Sequence, residues 1–109
     1  MKILRYDSFP NYAKEIREAV FIEEQGFESE FDEIDNTAVH FVSFDEDESP
    51  IATCRVFLNN QMNAYILGRL AVIKEYRGRN IRSLIVKEVE KYVREIGGIV
   101  IMVDPAKRP

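Results

Sequence analysis

Arg77, Gly78, Arg79 and Arg82 fall within six residues, between an apolar run and an amphipathic one. Guanidinium groups at that density attract anions, and a glycine lets the backbone turn its N–H groups toward a ligand. If a helix begins near Asn80, its first N–H groups add further unpaired donors at the same point. Together these features make a seat for a phosphate-bearing ligand. The same arginines also suit a solvated helix start, so the surrounding elements must decide.

Other reactive side chains are few. Cys54 lies in the apolar run Ile51 to Leu58 and reads as core rather than as a nucleophile. A single cysteine excludes an internal disulfide and fits a reducing, cytoplasmic setting. At 109 residues, with 46% hydrophobic and 31% charged residues, the chain fits one globular domain spanning 1–109. The N-terminal segment lacks the apolar core of a signal peptide, and no apolar run is long enough to cross a bilayer, so no membrane association is expected.

The net charge of −4 conceals segregation. From Glu23 to Glu48 there are eleven acidic residues and no Lys or Arg, whereas Arg69 to Arg94 holds eight basic residues against Glu75, Glu88 and Glu90. One half should attract cations and the other anions. The acidic half argues against a nucleic-acid partner, since it would repel a phosphate backbone.

Periodicity predicts a strand over Lys2 to Tyr6. A helix follows near Ser8 to Asn11, with Ser8 or Asn11 as cap, Pro10 in the first turn and Gly26 as its stop. His40 to Phe44 and Ile51 to Leu58 read as an antiparallel hairpin, and Ala64 to Ile73 as the third strand of a meander. The helix from Asn80 to Ile96 presents Ile81, Leu84, Ile85, Val89, Tyr92, Val93 and Ile96 as an apolar stripe. Gly97-Gly98 ends it, and Ile99 to Val103 reads as a final buried strand, parallel to the third across the crossover.

The segment Arg77-Gly78-Arg79-Asn80-Ile81-Arg82 resembles the "Arg or Gln, two residues, Gly, one residue, Gly or Ala" motif of the GCN5-related N-acetyltransferases (GNAT family). Asn80 and Arg82 stand where that motif has small residues; Asn tolerates unusual backbone angles, and an Arg can swing outward to pair with phosphate. Arg17 to Gln25 (REAVFIEEQ), Glu30 to Asp35 with Ala38-Val39-His40, Ile51 to Val56 and Gly68 to Val72 resemble further segments of a small bacterial subgroup, in order along nearly the whole chain.

The resemblance implies an α/β (α+β) fold with a mixed, mostly antiparallel sheet and flanking helices, lacking the family's last helix and two strands. It implies that backbone groups of Leu70, Ala71 and Val72 pair with the pantetheine arm of acetyl-CoA. Amides of Arg77, Gly78, Arg79, Asn80, Ile81 and Arg82, with the Ser83 hydroxyl, would hold the pyrophosphate. The implied reaction uses no metal. The acceptor amine attacks the thioester directly, and a strand amide polarises the carbonyl.

Glu24, Glu33, Asp35 and His40 lie where the family places its acceptor, a small-molecule or peptide amine. For His40 a structural hydrogen bond is the favoured reading, and Tyr65 and Tyr76 are minor general-acid candidates, so no catalytic residue is assigned. The short C-terminus predicts an open sheet edge and a homodimer. Two functions remain open at this stage: an N-acetyltransferase, or a degenerate relative serving as a CoA-binding or protein-interaction module.

Overall fold

Five apolar segments form one sheet. The computed structural model of the chain describes residues 1–26 and 31–103, so the readings placed on Glu28, Glu30 and the Asp104 to Pro109 tail fall outside the described residues. The strands are β1 (Lys2–Tyr6), β2 (Val39–Phe44), β3 (Pro50–Asn59), β4 (Ala64–Val72) and β5 (Val100–Met102), in the spatial order β1-β2-β3-β4-β5. The first three pairings are antiparallel, and β5 lies parallel to β4 after the crossover through a helix. The predicted strands thus appear in the predicted order, with ends that differ by one or two residues.

Two helices cover opposite faces. Helix α1 (Asn11–Arg17) continues as a π-helical segment, Glu18–Glu24, and helix α2 spans Ile81–Glu95. Ala13, Ile16, Val20 and Phe21 pack with Val42, Phe44 and Ala71, whereas Ile81, Ile85, Val89 and Val93 pack with Phe41, Val56, Leu67 and Leu70. Successive strand residues point to opposite faces, so Leu70 and Ala71 mark the two sides. Coverage on both faces explains why His40 to Phe44 is buried throughout instead of alternating with solvent. Full burial of each such aliphatic side chain contributes about 1.5–3 kcal/mol relative to exposure.

Several local expectations change. Neither Ser8 nor Asn11 caps α1: Pro10 takes the N-cap position, and its carbonyl accepts from the N–H groups of Ala13 and Lys14. Asn80 precedes α2 with φ +66 and makes no side-chain cap, so it serves by its backbone angle. The buried stripe of α2 narrows to the i, i+4 row Ile81, Ile85, Val89 and Val93, leaving Leu84 and Ile96 exposed. Strand β5, expected to be buried, is the sheet's exposed edge: Ile101 and Met102 remain 37% and 49% accessible, because among the described residues nothing packs outside it. Gly98 is required sterically, since a Cβ there would stand 2.6 Å from the Tyr65 ring.

Cys54 is buried in the α2-side core, and burial pushes its thiol far above the ordinary range. A thiol-specific chromogenic reagent is therefore expected to leave the native protein unlabelled and to react once the chain is unfolded. Rapid labelling of the native state would contradict a core role.

Candidate functional site

Strand β4 carries an irregularity at its centre. Thr53 pairs with Ala71 but Arg55 pairs with Gly68, so β4 has one residue more than β3 between these points, and Arg69 adopts φ +52. This is a β-bulge, which bends its strand. Pairing with β5 stops at Leu67, whose carbonyl accepts from the Val103 N–H at 2.8 Å. Beyond the bulge, no described strand lies on that side of β4.

The backbone beyond the bulge can be assigned face by face. The Ile73 N–H donates to Ile51 at 3.0 Å, and antiparallel ladders alternate, so Ala71 is directed to β3. Leu70 and Val72 therefore turn their N–H and C=O groups to the free edge, where the Val72 carbonyl already accepts from Arg77 Nε at 3.0 Å. Of the three residues expected to offer backbone groups, Ala71 contributes its wall position instead.

The chain then makes a short 3-10 turn, Lys74–Tyr76, and reverses through Gly78 at φ +79 and Asn80 at φ +66. The first intrahelical bond of α2 runs from Leu84 to Asn80, which leaves the N–H groups of Ile81, Arg82 and Ser83 without helical partners. No acidic residue occupies this first turn. Free edge and turn meet in a cavity of about 300 Å³. Eight of the ten expected cosubstrate residues line it: Leu70, Ala71, Val72, Arg77, Gly78, Asn80, Ile81 and Arg82.

Arg79 and Ser83 do not line the cavity; the Arg79 guanidinium sits 4.9 Å from the Tyr76 ring centroid. The opposite wall, Val20, Phe21 and Gln25, was not anticipated as part of the site, although the VF and EQ pairs of its helix were the signal available. Tyr76 also lines the cavity, and its hydroxyl donates to Asp45 at 2.6 Å.

The acceptor-side residues do not form one surface. Asp35 is buried and accepts from Arg17 at 2.7 and 3.0 Å, from Arg55 at 2.9 Å and from the Asp32 N–H at 3.1 Å. Asp32 pairs with Arg55 at 2.5 and 3.1 Å and with Arg69 of the bulge at 3.3 Å. Burial alone would raise the Asp35 carboxyl, but hydrogen bonds from Arg17, the Asp32 backbone and Arg55 outweigh it and hold it below the usual range.

His40 is fully buried, stacks on Phe9 at 4.6 Å, and donates from Nε2 to the Asp35 carbonyl at 2.9 Å. Burial pulls its pKa down, which keeps the ring neutral. Asp35 and His40 therefore frame the bulge from inside and present nothing to an acceptor. Glu24 is tied to Arg77, and Glu33 remains exposed. Among the described residues no group of three or more His, Cys, Asp or Glu is placed to hold a metal ion, and no helix is long and apolar enough to cross a membrane.

Comparison with known proteins agrees with this architecture. The model of the acetyltransferase (GNAT) family matches residues 5–108. The chain is 36% identical over 90 residues to a Bacillus subtilis (strain 168) protein provisionally named an acetyltransferase, a match covering 78% of this chain and 59% of that one. An acyl-CoA N-acyltransferase from Pseudomonas aeruginosa superposes with a TM-score of 0.81 at 14% identity, covering 96% of this chain and 80% of that chain. An aminoglycoside 6'-N-acetyltransferase complexed with coenzyme A superposes with a TM-score of 0.71 at 16% identity, covering 94% and 61%. The chain belongs to the acetyltransferase (GNAT) family. It spans about three-fifths of the length of the curated relatives it matches.

Proposed function

We propose that the chain acts as an N-acetyltransferase, taking acetyl-CoA as cosubstrate and a primary amine as acceptor. The observation that carries this reading is the continuity of the cleft: a free strand edge at Leu70 and Val72 leads directly to an anion-attracting turn at Gly78 to Arg82. An extended ligand with amides along its length and phosphates at one end matches both parts. The edge pairs with amides as an added strand would, and the turn offers N–H groups at a helix start. The family membership and the coenzyme A complex of the aminoglycoside enzyme support the same ligand.

In this reaction the acceptor nitrogen forms a bond to the acetyl carbonyl carbon, the carbon–sulfur bond breaks, and the thiolate leaves with a proton. An N–H of Leu70 or Val72 would stabilise the charge developing on the carbonyl oxygen. The exposed carboxylate of Glu33 favours a cationic acceptor, by attraction alone. Arg82 lines the cavity where the family motif has a small residue, and we assign its guanidinium to phosphate pairing.

Calorimetric titration with acetyl-CoA, and separately with CoA, tests the proposal. Micromolar binding of both is expected, and Arg82→Gly should weaken it about five-fold through loss of a charge-assisted contact at a partly exposed site. Absence of binding at millimolar ligand would remove the enzyme reading and leave the fold unaffected. Unchanged affinity in Arg82→Gly would remove only the assignment of Arg82.

A further inference from the structure

Glu24 ends the π-helical segment, 53 residues from Arg77, yet its two carboxylate oxygens meet both terminal nitrogens of that arginine at 2.7 and 2.5 Å. Arg77 also donates from Nε to the Val72 carbonyl at 3.0 Å. Every nitrogen of this guanidinium is thus bound to protein, on one side by the helix end and on the other by the end of β4. The hydrogen bond from Arg77 holds the Glu24 carboxyl below its ordinary range, so the pair is ionised at neutral pH.

We infer that Arg77 is not a phosphate ligand but a tie across the cleft, and that Glu24 is the positioning residue that holds it. The inference rests on the cosubstrate reading of the cleft. Val20, Phe21 and Gln25 form one wall, and the turn from Gly78 to Arg82 forms the other. Among the described residues, the Glu24–Arg77–Val72 chain of contacts is a polar connection between the two. It sets the width of the cleft and the pose of the turn's N–H groups. A bare carboxylate beside an anion seat would repel the ligand, and bidentate pairing to Arg77 cancels that charge.

The sign of one substitution separates this role from its opposite. Were Arg77 a phosphate ligand, Glu24 would compete for it, and removing the carboxylate would tighten binding. In a positioning role, Glu24→Gln weakens binding, because the turn loses its tie. The site is exposed, so the effect is a modest one of about three-fold.

The test is calorimetry with acetyl-CoA across a salt series, on the wild type, Glu24→Gln, Arg77→Gln, the double variant, the charge-swapped pair Glu24→Arg with Arg77→Glu, and Glu23→Gln as a neighbouring-charge control. Both single variants should bind about three-fold more weakly, and the double variant no more weakly than either, as for residues acting through one contact. The charge-swapped pair should regain part of the loss. The salt dependence of affinity should be unchanged in the double variant, which removes a net-neutral pair and leaves no bare carboxylate. Unchanged or tightened binding in Glu24→Gln, additive losses, or a flattened salt dependence in the double variant would overturn the inference while leaving the cosubstrate reading intact. Absence of wild-type binding would overturn both.

Discussion

Asp35→Ala is expected to cost about 3–5 kcal/mol of stability, because it leaves two buried arginines without their shared counter-charge. Arg17 and Arg55 are only 1% and 4% accessible, and both donate to Asp35 Oδ1. Arg55 keeps Asp32 as a partner, which moderates its share of the loss. A domain of this size has about 5–15 kcal/mol in all, so the variant should unfold at markedly lower urea. A loss under about 1 kcal/mol would mean that the network is as weak as an exposed ion pair.

The same network fixes how stability depends on pH. Asp35 and Asp32 both titrate below the ordinary aspartate value when folded, Asp35 for the reasons given above and Asp32 chiefly through its bond from Arg55. A depressed folded pKa means that the unfolded chain binds more protons in the acid range. The contribution is therefore fully present above the unfolded aspartate pKa of about 3.9 and is lost as pH falls through the lower folded values. Urea midpoints measured at neutral pH and near pH 3 should fall for the wild type, and the drop should be smaller in Asp35→Asn. His40 adds to the same trend, because a buried neutral imidazole must take up a proton on unfolding in acid.

Gly78→Val is expected to weaken acetyl-CoA binding about thirty-fold or more, through backbone strain of some 2 kcal/mol in the phosphate turn. Gly78 sits at φ +79, and a Cβ there would meet nothing within 4 Å. Space is available and the penalty is purely conformational, so the turn relaxes toward negative φ and its N–H groups lose their common aim. Helix α2 starts after this point, so the fold should survive, which thermal melting would check. Gly78→Asn is the matched control: asparagine tolerates the left-handed region, as Asn80 already does two residues on, and should retain most of the affinity. Equal losses in the two variants would show that bulk, not backbone angle, controls the site.

How much of this was legible beforehand varies by residue, for physical reasons. Strand and helix positions follow from side-chain periodicity, which is local, so β1 to β4 and α2 lie close to where alternation and the i, i+4 row put them. The turn at Gly78 was visible for the same reason. The resemblance to GNAT segments pointed to Leu70, Ala71, Val72 and the turn that line the cavity, yet it could not tell Ala71, which faces β3, from Leu70 and Val72, which face outward. That distinction depends on the pairing of Ile73 with Ile51. The resemblance sets Asp35 and His40 where the family has its acceptor, and position in a matching segment carries no information on burial. Arg17 and Arg55, 18 and 20 residues from Asp35, hold its carboxylate inside, and His40 is buried beside it through a bond to the Asp35 carbonyl.

The sequence by itself determined the order of the elements, the buried thiol, the crossover from β4 to β5 and the arginine–glycine turn that opens α2. All but the crossover depend on neighbours within a few residues, and the crossover follows from the handedness rule for a strand–helix–strand unit. The tertiary structure alone decided which backbone groups face the cleft, which acids are consumed by internal pairs, and that the π-helical segment forms the second wall. Those outcomes rest on contacts between residues far apart in the chain, such as Glu24 with Arg77 and Asp32 with Arg69. Strand register and ion pairing are settled only when the two helices close on opposite faces of the sheet, and no local pattern carries that information.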